Sequence, residues 1–157
     1  MPISSSNIHD NLCLMPKPLI GAIYLLNSKP DNSLAVITGF GEQMEFRQRG
    51  VADLWHLLNS SPELLKGAFV ADKVVGKAAA ALMITGGAAG IYAQTISELA
   101  LDLLSATTIP VYYSMLTPHI INRTRSGWCP LETRCRDCQT ARECIEQIDE
   151  FITQQKQ

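Results

Sequence analysis

The middle of the chain alternates short apolar runs with longer stretches in which apolar residues recur three and four positions apart. The short runs are typical of buried strands and the longer stretches of helices. Gly86 and Gly87 end the first of the helical stretches. The pattern predicts, in order, strand 68–71, helix 74–85, strand 90–93, helix 96–104 and strand 109–115. Because the links between them are short, the strands must be parallel and joined by right-handed crossovers.

Two segments before this region carry the pattern of a hairpin. Residues 33–38 and 43–48 are predicted antiparallel strands, and residues 51–58 follow as a helix. Residues 19–26 are apolar enough for a helix or a strand, and periodicity does not separate the two at this length. The expected fold class is α/β, a three-layer α-β-α sandwich around a mixed, mostly parallel sheet with the hairpin at one side.

The ends of the chain differ from this middle part. Residues 1–17 are polar and proline-containing and are predicted to be a tail, whereas residues 18–134 form a single domain. In residues 135–157 an apolar stripe predicts a C-terminal helix that docks on the same domain. The stripe consists of Ala141, Ile145, Ile148 and Ile152. Thr140 and Glu143 have the spacing of a capping box at its start.

Composition excludes several classes of partner. The chain has 157 residues, 46% hydrophobic and 18% charged, as expected for one compact domain. A net charge of -2 gives no reason to expect nucleic acid or an acidic membrane as a partner. We expect no membrane span, because the longest apolar run is short and broken by glycines, and no secretory signal. Five cysteines, mostly in one cluster, favour a cytoplasmic location. The apolar face of the hairpin is available for a homodimer.

Candidate chemistry is expected where the parallel strands end, because ligands bind at that edge of an α/β sheet. Segments 72–77, 94–97 and 117–132 lie there in the predicted fold. The first two are helix starts, whose free N–H groups and dipole suit an anion, and two lysines add positive charge. The candidate ligand-binding residues are Asp72, Lys73, Lys77, Gln94, Thr95, Ser97 and Arg123.

Each of these residues also has a plainer interpretation. Asp72 and Thr95 can be helix caps, and Ser97 can satisfy a backbone donor in the first helical turn. Lys73 and Lys77 can be ordinary solvated lysines.

The sharpest local motif is Cys129-Pro-Leu-Glu132. Proline at the first helical position places Cys129 at the cap, where the helix dipole lowers the pKa of a thiol. Glu132 is then the third helical residue and can bond back to the cap. Cys129 and Glu132 are therefore candidate catalytic residues, with Arg123 close in sequence and His119 on the same loop.

The cysteines also allow a metal site. Cys129, Cys135, Cys138 and Cys144 form a cluster that contains one Cys-x-x-Cys half-site suited to zinc or an iron–sulfur cluster. The alternative is that Cys144 is an ordinary buried core cysteine. We expect no cofactor and keep the metal site as the alternative.

Several strings resemble a known family. They are residues 71–82 (Ala-Asp-Lys-Val-Val-Gly-Lys-Ala-Ala-Ala-Ala-Leu), Gly86-Gly87, Tyr92-Ala93, Ile96-Ser97, Asn122-Arg123 and residues 129–132. They resemble an uncharacterised prokaryotic family of unknown function, a divergent, zinc-less branch of the cytidine deaminase-like superfamily. The resemblance covers residues 33–132 and implies a cytidine deaminase-like fold with a pocket at the two helix starts.

The same resemblance argues against the familiar reaction of that superfamily. Deaminases hold zinc through His-x-Glu at one helix start and Pro-Cys-x-x-Cys at the next, and the glutamate shuttles protons. The matching positions here, 72–76 and 94–97, carry neither set. Zinc-dependent cytidine deamination is therefore not expected.

Three functions follow, in this order. The first is a pocket that binds a nucleotide or another small anionic metabolite. The second is an enzyme that uses Cys129 as a reactive thiol in transfer, hydrolysis or redox chemistry. The third is a metal protein that uses the cysteine cluster. The sequence does not decide whether the protein is an enzyme.

Overall fold

The computed structural model describes residues 14–155. The helices are α1 Lys17–Asn27, α2 Ala52–Ser60, α3 Lys77–Gly86, α4 Glu98–Ser105, α5 Pro130–Cys135 and α6 Ala141–Gln155, with a 3₁₀ turn at Pro62–Leu64. The strands are β1 Leu34–Ile37, β2 Gln43–Phe46, β3 Phe69–Val75, β4 Gly90–Ser97 and β5 Val111–Thr117. The ambiguous segment at residues 19–26 therefore belongs to a helix.

The five strands form one mixed sheet in the order β2-β1-β3-β4-β5. β1 pairs antiparallel with β2 and with β3, whereas the pairs β3–β4 and β4–β5 are parallel. The predicted hairpin and the predicted parallel strands are both confirmed. The α/β class with a mixed sheet flanked by helices is confirmed with them.

Helices cover the two faces of the sheet unequally. α1 packs on one face through Leu19, Ala22 and Leu26, against a small cluster that includes Tyr92 and Tyr112. The other five helices share a single larger core on the opposite face. α3 lies at the centre of this core and is packed on nearly all sides. Its alanine side chains are small, so the neighbouring helices and strands can approach it closely. Gly87, in the left-handed conformation with φ 80°, ends this helix as predicted.

The largest differences from the sequence prediction lie at the carboxyl ends of the strands. β3 continues to Val75 and α3 begins at Lys77, so the prediction of a helix from Val74 is wrong. β4 continues to Ser97 and α4 begins at Glu98, two residues later than predicted. The physical reason is pairing, because β3, β4 and β5 extend together. The β-branched residues at these positions also favour the extended conformation.

The two chain ends are described in part. The expected tail at residues 1–17 lies mostly outside the described residues. Leu14 is 72% exposed, Met15 is buried and α1 begins at Lys17. At the start of α6, Thr140 Oγ1 accepts a hydrogen bond from Glu143 N, which confirms the predicted cap. The Glu143 carboxylate accepts a hydrogen bond from Gln139 N. In a capping box it would accept from Thr140 N, one residue later. Residues 14–155 include no helix long and apolar enough to cross a membrane.

Candidate functional site

An open groove of about 1210 Å³ runs along the carboxyl end of β3. One wall comes from the segments before β1 and between β2 and α2, together with the start of α2. The other comes from the start of α3, the loop after β5, the start of α5 and the end of α6. Its charged lining residues are Asp31, Arg47, Arg49, Asp72, Lys73, Lys77, Arg123 and Glu132.

Asp72 contributes a buried carboxyl group to this groove. It lies inside β3, paired with Leu34 and Ala93, and is 7% exposed. Burial raises its pKa to about 7, and the nearby charge of Asp53 acts in the same direction. The backbone N–H groups of Val74 and Lys73 lower the pKa but do not offset the burial. Asp72 is therefore a strand residue that titrates near neutral pH, and its interpretation as a helix cap is wrong.

Lys77 and Glu132 connect α3 to α5 in both directions. Glu132 Oε1 accepts from the backbone N–H of Lys77 at 2.8 Å, and Oε2 accepts from Ile120 N at 2.8 Å. The Lys77 ammonium group donates to the carbonyl oxygens of Arg136 at 3.0 Å and Cys138 at 2.6 Å, at the end of α5. The start of α3 is thus occupied by the protein's own carboxylate. These contacts differ from those expected, in which Glu132 bonds back to its own helix cap and Lys77 is solvated.

Gly76, immediately before α3, leaves room for the contact between Glu132 and the Lys77 amide. A Cβ atom at Gly76 would lie 3.2 Å from Glu132 Oε1 and 3.2 Å from Ile120 Cγ1. That spacing is tighter than ordinary van der Waals contact. The glycine allows α5 and the loop after β5 to approach the start of α3.

The positive charge of the groove comes mainly from its rim. Lys73 Nζ donates to Pro30 O at 2.6 Å and so joins β3 to the segment before β1. Arg47 pairs with Asp31 at 3.3 Å, and the exposed Arg49 and Arg123 lie on opposite walls. Among residues 14–155, five basic and three acidic residues line the groove, in a chain whose net charge is -2. The groove is therefore more positive than the rest of the protein.

Cys129 also lines the groove, at the cap position of α5. Its backbone N–H donates to Ile120 O at 2.8 Å, and its side chain is half-buried. His119 stacks on Trp128, with ring centroids 4.2 Å apart. The thiol is thus within reach of a molecule in the groove.

The second predicted helix start lies elsewhere. Within the described chain, the groove walls do not include Gln94, Thr95 or Ser97. Thr95 is a strand residue paired with Val74 and Met115, so its interpretation as a helix cap is wrong. Ser97 is the actual cap of α4, and its hydroxyl oxygen accepts from Ala100 N at 3.1 Å. The structure therefore brings together six of the nine predicted site residues, namely Asp72, Lys73, Lys77, Arg123, Cys129 and Glu132.

The remaining cysteines lie at the other end of α5. Cys135 and Cys144 are buried in the core, and the Cys135 thiol donates to the Cys144 carbonyl oxygen at 4.0 Å. The half-buried Cys138 thiol donates to the Arg134 carbonyl oxygen at 3.9 Å. Cys129 is separated from Cys135 by the six-residue helix α5, about 9 Å along its axis, which is too far for one zinc ion to bind both thiolates. Over residues 14–155, no group of three or more histidine, cysteine or acidic side chains is arranged to hold a metal ion.

Sequence reasoning missed the two hairpin residues of the groove, Arg47 and Arg49. They follow β2 and reach the site through the antiparallel pairing of β1 with β3. No local motif marks them. The sequence around Asp72 did carry a signal for a strand. The apolar residues on both sides of Asp72 and Lys73 all belong to one strand, β3.

The fold and the groove define a class of protein: a mixed α/β domain with a basic groove at the carboxyl edge of its sheet. Residues 24–152 match the family model described as TM1506, domain of unknown function (DUF1893), and the chain belongs to this DUF1893 family. The crystal structure of a DUF1893 family protein, TM1506 from Thermotoga maritima, is similar. The two are 26% identical, with a TM-score of 0.77 over 87% of this chain and 91% of that chain. No curated protein matches the sequence.

These comparisons confirm the expected membership of a family of unknown function. They do not test its relation to the deaminases, which stays a prediction.

Proposed function

We propose that the groove binds a small anionic metabolite, and that nucleotides belong to the class it accepts. The observation that carries the proposal is the charge of the lining, five basic against three acidic residues in a chain of net charge -2. An excess of positive charge in a groove raises the local concentration of anionic ligands. Arg49 and Arg123 suit phosphate or carboxylate oxygens, which guanidinium groups bind in a bidentate manner.

The Asp72 carboxyl group would bind the polar, uncharged part of the same ligand. With a pKa of about 7, it can accept a hydrogen bond when ionised and donate one when protonated. Carboxyl groups with strongly perturbed pKa values in a cleft are frequent at functional sites. Cys129 lines the same groove as Asp72. The binding proposal holds whether or not this thiol then reacts with the bound ligand.

We also propose that the fold is a zinc-less member of the cytidine deaminase-like superfamily. In support, Gly76 and Lys77 begin the helix after β3, and Ser97 and Glu98 begin the helix after β4. Neither start carries the His-x-Glu or Pro-Cys-x-x-Cys ligands of the zinc deaminases. The metabolite would therefore be bound without zinc, in the groove beside the start of α3.

Thermal unfolding with a panel of nucleotides, inorganic phosphate and small carboxylates tests the binding proposal. A ligand at a hundred times its Kd should stabilise the protein by about 2.7 kcal/mol. The Arg49→Ala and Arg123→Ala variants should each weaken binding by roughly tenfold to a hundredfold, because each loses a charge-assisted hydrogen bond.

Arg142→Ala is the matched control, because Arg142 is exposed and lies outside the groove. It should bind like the wild type. If no ligand in the panel shifts unfolding, or if all three arginine variants bind equally, the proposal is wrong.

A further inference from the structure

We propose that the protein forms a homodimer in which β5 pairs antiparallel with β5 of a second copy. The contact lies outside the groove, so it does not rest on ligand binding. β5 is an edge strand, because within residues 14–155 it pairs with β4 alone. An exposed strand edge is a template for pairing with another chain, and soluble proteins usually protect it.

The outer edge of β5 offers four residues for such pairing. Ile91 N in β4 donates to Pro110 O at 3.0 Å, so the Pro110 carbonyl points towards β4. This direction alternates from residue to residue along a strand, and β4 pairs with β5 without a bulge over its whole length. The residues whose N–H and C=O groups point away from the sheet are therefore Val111, Tyr113, Met115 and Thr117.

The four outward residues fix the register of the dimer. They are symmetric about Ser114, so a two-fold axis there places Tyr113 opposite the partner's Met115 and Val111 opposite the partner's Thr117. Each of these pairs exchanges two hydrogen bonds, and up to about eight would form across the dimer, as in a typical protein interface. Any other two-fold register leaves at least one outward residue unpaired.

The side chains agree with this register. Met115 is apolar and yet 61% exposed. In the dimer it lies opposite the half-buried ring of the partner's Tyr113, and methionine sulfur makes favourable contacts with aromatic rings. Leu116, 42% exposed, lies opposite the partner's Tyr112. The dimer thus covers the two exposed apolar side chains of β5.

Charge favours a second copy as the occupant of this edge. Residues 103–122 include no Asp, Glu, Lys or Arg, so two β5 strands meet without like charges opposed. At the other edge, β2 is four residues long and carries Glu45, which pairs with Lys29 at 3.3 Å. Short length and charge are the usual protection of an edge. The hairpin residues Met44 and Phe46 already pack against the core, so we place the dimer contact at β5.

Ser114→Cys tests the register. Because Ser114 directs its backbone groups towards β4, the two copies of residue 114 form a non-hydrogen-bonded pair, with Cα atoms about 4.5 Å apart. That spacing suits a disulfide. The full-length variant is mildly oxidised, alkylated and digested with trypsin, which releases peptide 78–123 with residue 114 as its only cysteine. We expect two copies of this peptide joined by a bond that dithiothreitol breaks.

Ser105→Cys is the matched control. Ser105 is exposed at the end of α4 and lies in the same tryptic peptide. The two-fold axis places the two α4 ends at opposite ends of the strand pair, too far apart for a disulfide. The control peptide should therefore remain single.

Sedimentation of the full chain at increasing protein concentration tests the dimer itself, and we expect a mass twice that of one chain. Met115→Pro removes an outward N–H and keeps the bonds to β4, because proline is tolerated where its missing N–H faces away from the sheet. It should weaken the dimer by about tenfold to a hundredfold, through the loss of two hydrogen bonds. Met115→Ala keeps the N–H and should weaken it less.

The proposal is overturned if the wild type is monomeric at every concentration, if Ser114→Cys gives no linked peptide, or if Met115→Pro and Met115→Ala weaken the dimer equally. A full chain that is monomeric, beside a chain starting at residue 14 that dimerises, would also overturn it, because residues 1–13 would then occupy the edge.

Discussion

Two buried carboxyl groups lie at the same edge of the sheet and have different surroundings. Glu132, at the junction of α3 and α5, is 2% exposed and accepts 2.8 Å hydrogen bonds from two backbone N–H groups. Asp72, in the groove, is 7% exposed, and its bond from Val74 N is longer, 3.2 Å. Both side chains are buried, but Glu132 lies at a helix junction with a 2.8 Å donor at each oxygen, whereas Asp72 lines the open groove.

The comparison separates a carboxylate that joins two helices from one that lines the groove. A buried carboxylate is tolerated when hydrogen-bond donors point at both of its oxygens. Where burial outweighs the hydrogen bonds that the carboxylate accepts, the group holds its proton to a higher pH, as Asp72 does. Such a group costs folding free energy, and carboxyl groups of this kind are frequent at functional sites.

Removing the structural carboxylate should give the largest destabilisation of any single substitution considered. Glu132→Ala leaves the backbone N–H groups of Lys77 and Ile120 buried without an acceptor, at about 1–3 kcal/mol each. We expect the free energy of unfolding, measured by urea denaturation, to fall by about 3 kcal/mol or more. Glu132→Gln keeps one acceptor oxygen and should lose about half as much. An alanine variant as stable as the wild type would show that these bonds do not hold α5 in place.

Replacing the groove carboxyl should have the opposite sign. The pKa of Asp72 is raised from 3.8 to about 7, so the folded protein keeps a proton that the unfolded chain releases. The contribution of Asp72 to stability is then highest below about pH 4, falls as the pH rises to about 7, and levels off above it. The total fall is up to about 4 kcal/mol, at 1.36 kcal/mol for each pKa unit.

Asp72→Asn removes this titration. We expect the variant to be equally stable near pH 4 and more stable than the wild type at pH 8, by up to about 4 kcal/mol. Denaturation at several pH values measures the difference. Asp31→Asn, at an exposed position of the same groove, is the control and should leave the pH profile nearly unchanged. A wild-type profile that is flat between pH 4 and pH 7 would contradict the raised pKa.

The smallest effect concerns the space around Glu132. Gly76→Ala places a methyl group 3.2 Å from the carboxylate and should destabilise the protein by about 1–2 kcal/mol, because the neighbours must shift. Gly21→Ala is the matched control, since Gly21 lies in α1 with open space around it. It should stabilise by about 0.5–1 kcal/mol through helix propensity. Equal effects of the two variants would mean that close approach at Gly76 is unimportant.

The hydrophobic pattern was sufficient to predict the strands, the hairpin and the alanine-rich helix. It failed at the ends of β3 and β4, where polar residues such as Asp72 and Thr95 interrupt the apolar run. Those residues remain extended because neighbouring strands pair with them, and pairing partners far away in sequence leave no local signal.

The candidate site was predictable in position and less so in detail. The rule that ligands bind at the carboxyl ends of parallel strands indicated the region of the groove, and so did the Cys129–Glu132 motif. The contact of Glu132 with Lys77 spans 55 residues, so the motif alone suggested a bond within its own helix. Arg47 and Arg49 reach the groove through the hairpin register, which a single sequence does not specify at atomic detail.

The double connection between Lys77 and α5 has a consequence for folding order. A six-residue helix is too short to be stable in water by itself. The Glu132 carboxylate near the start of α5 binds the Lys77 amide, and the Lys77 ammonium group binds the carbonyl oxygens at its end. α5 therefore gains stable partners only after α3 has formed on the sheet. We expect the groove wall at residues 120–132 to be completed late in folding, when the β3-α3-β4 unit is already in place.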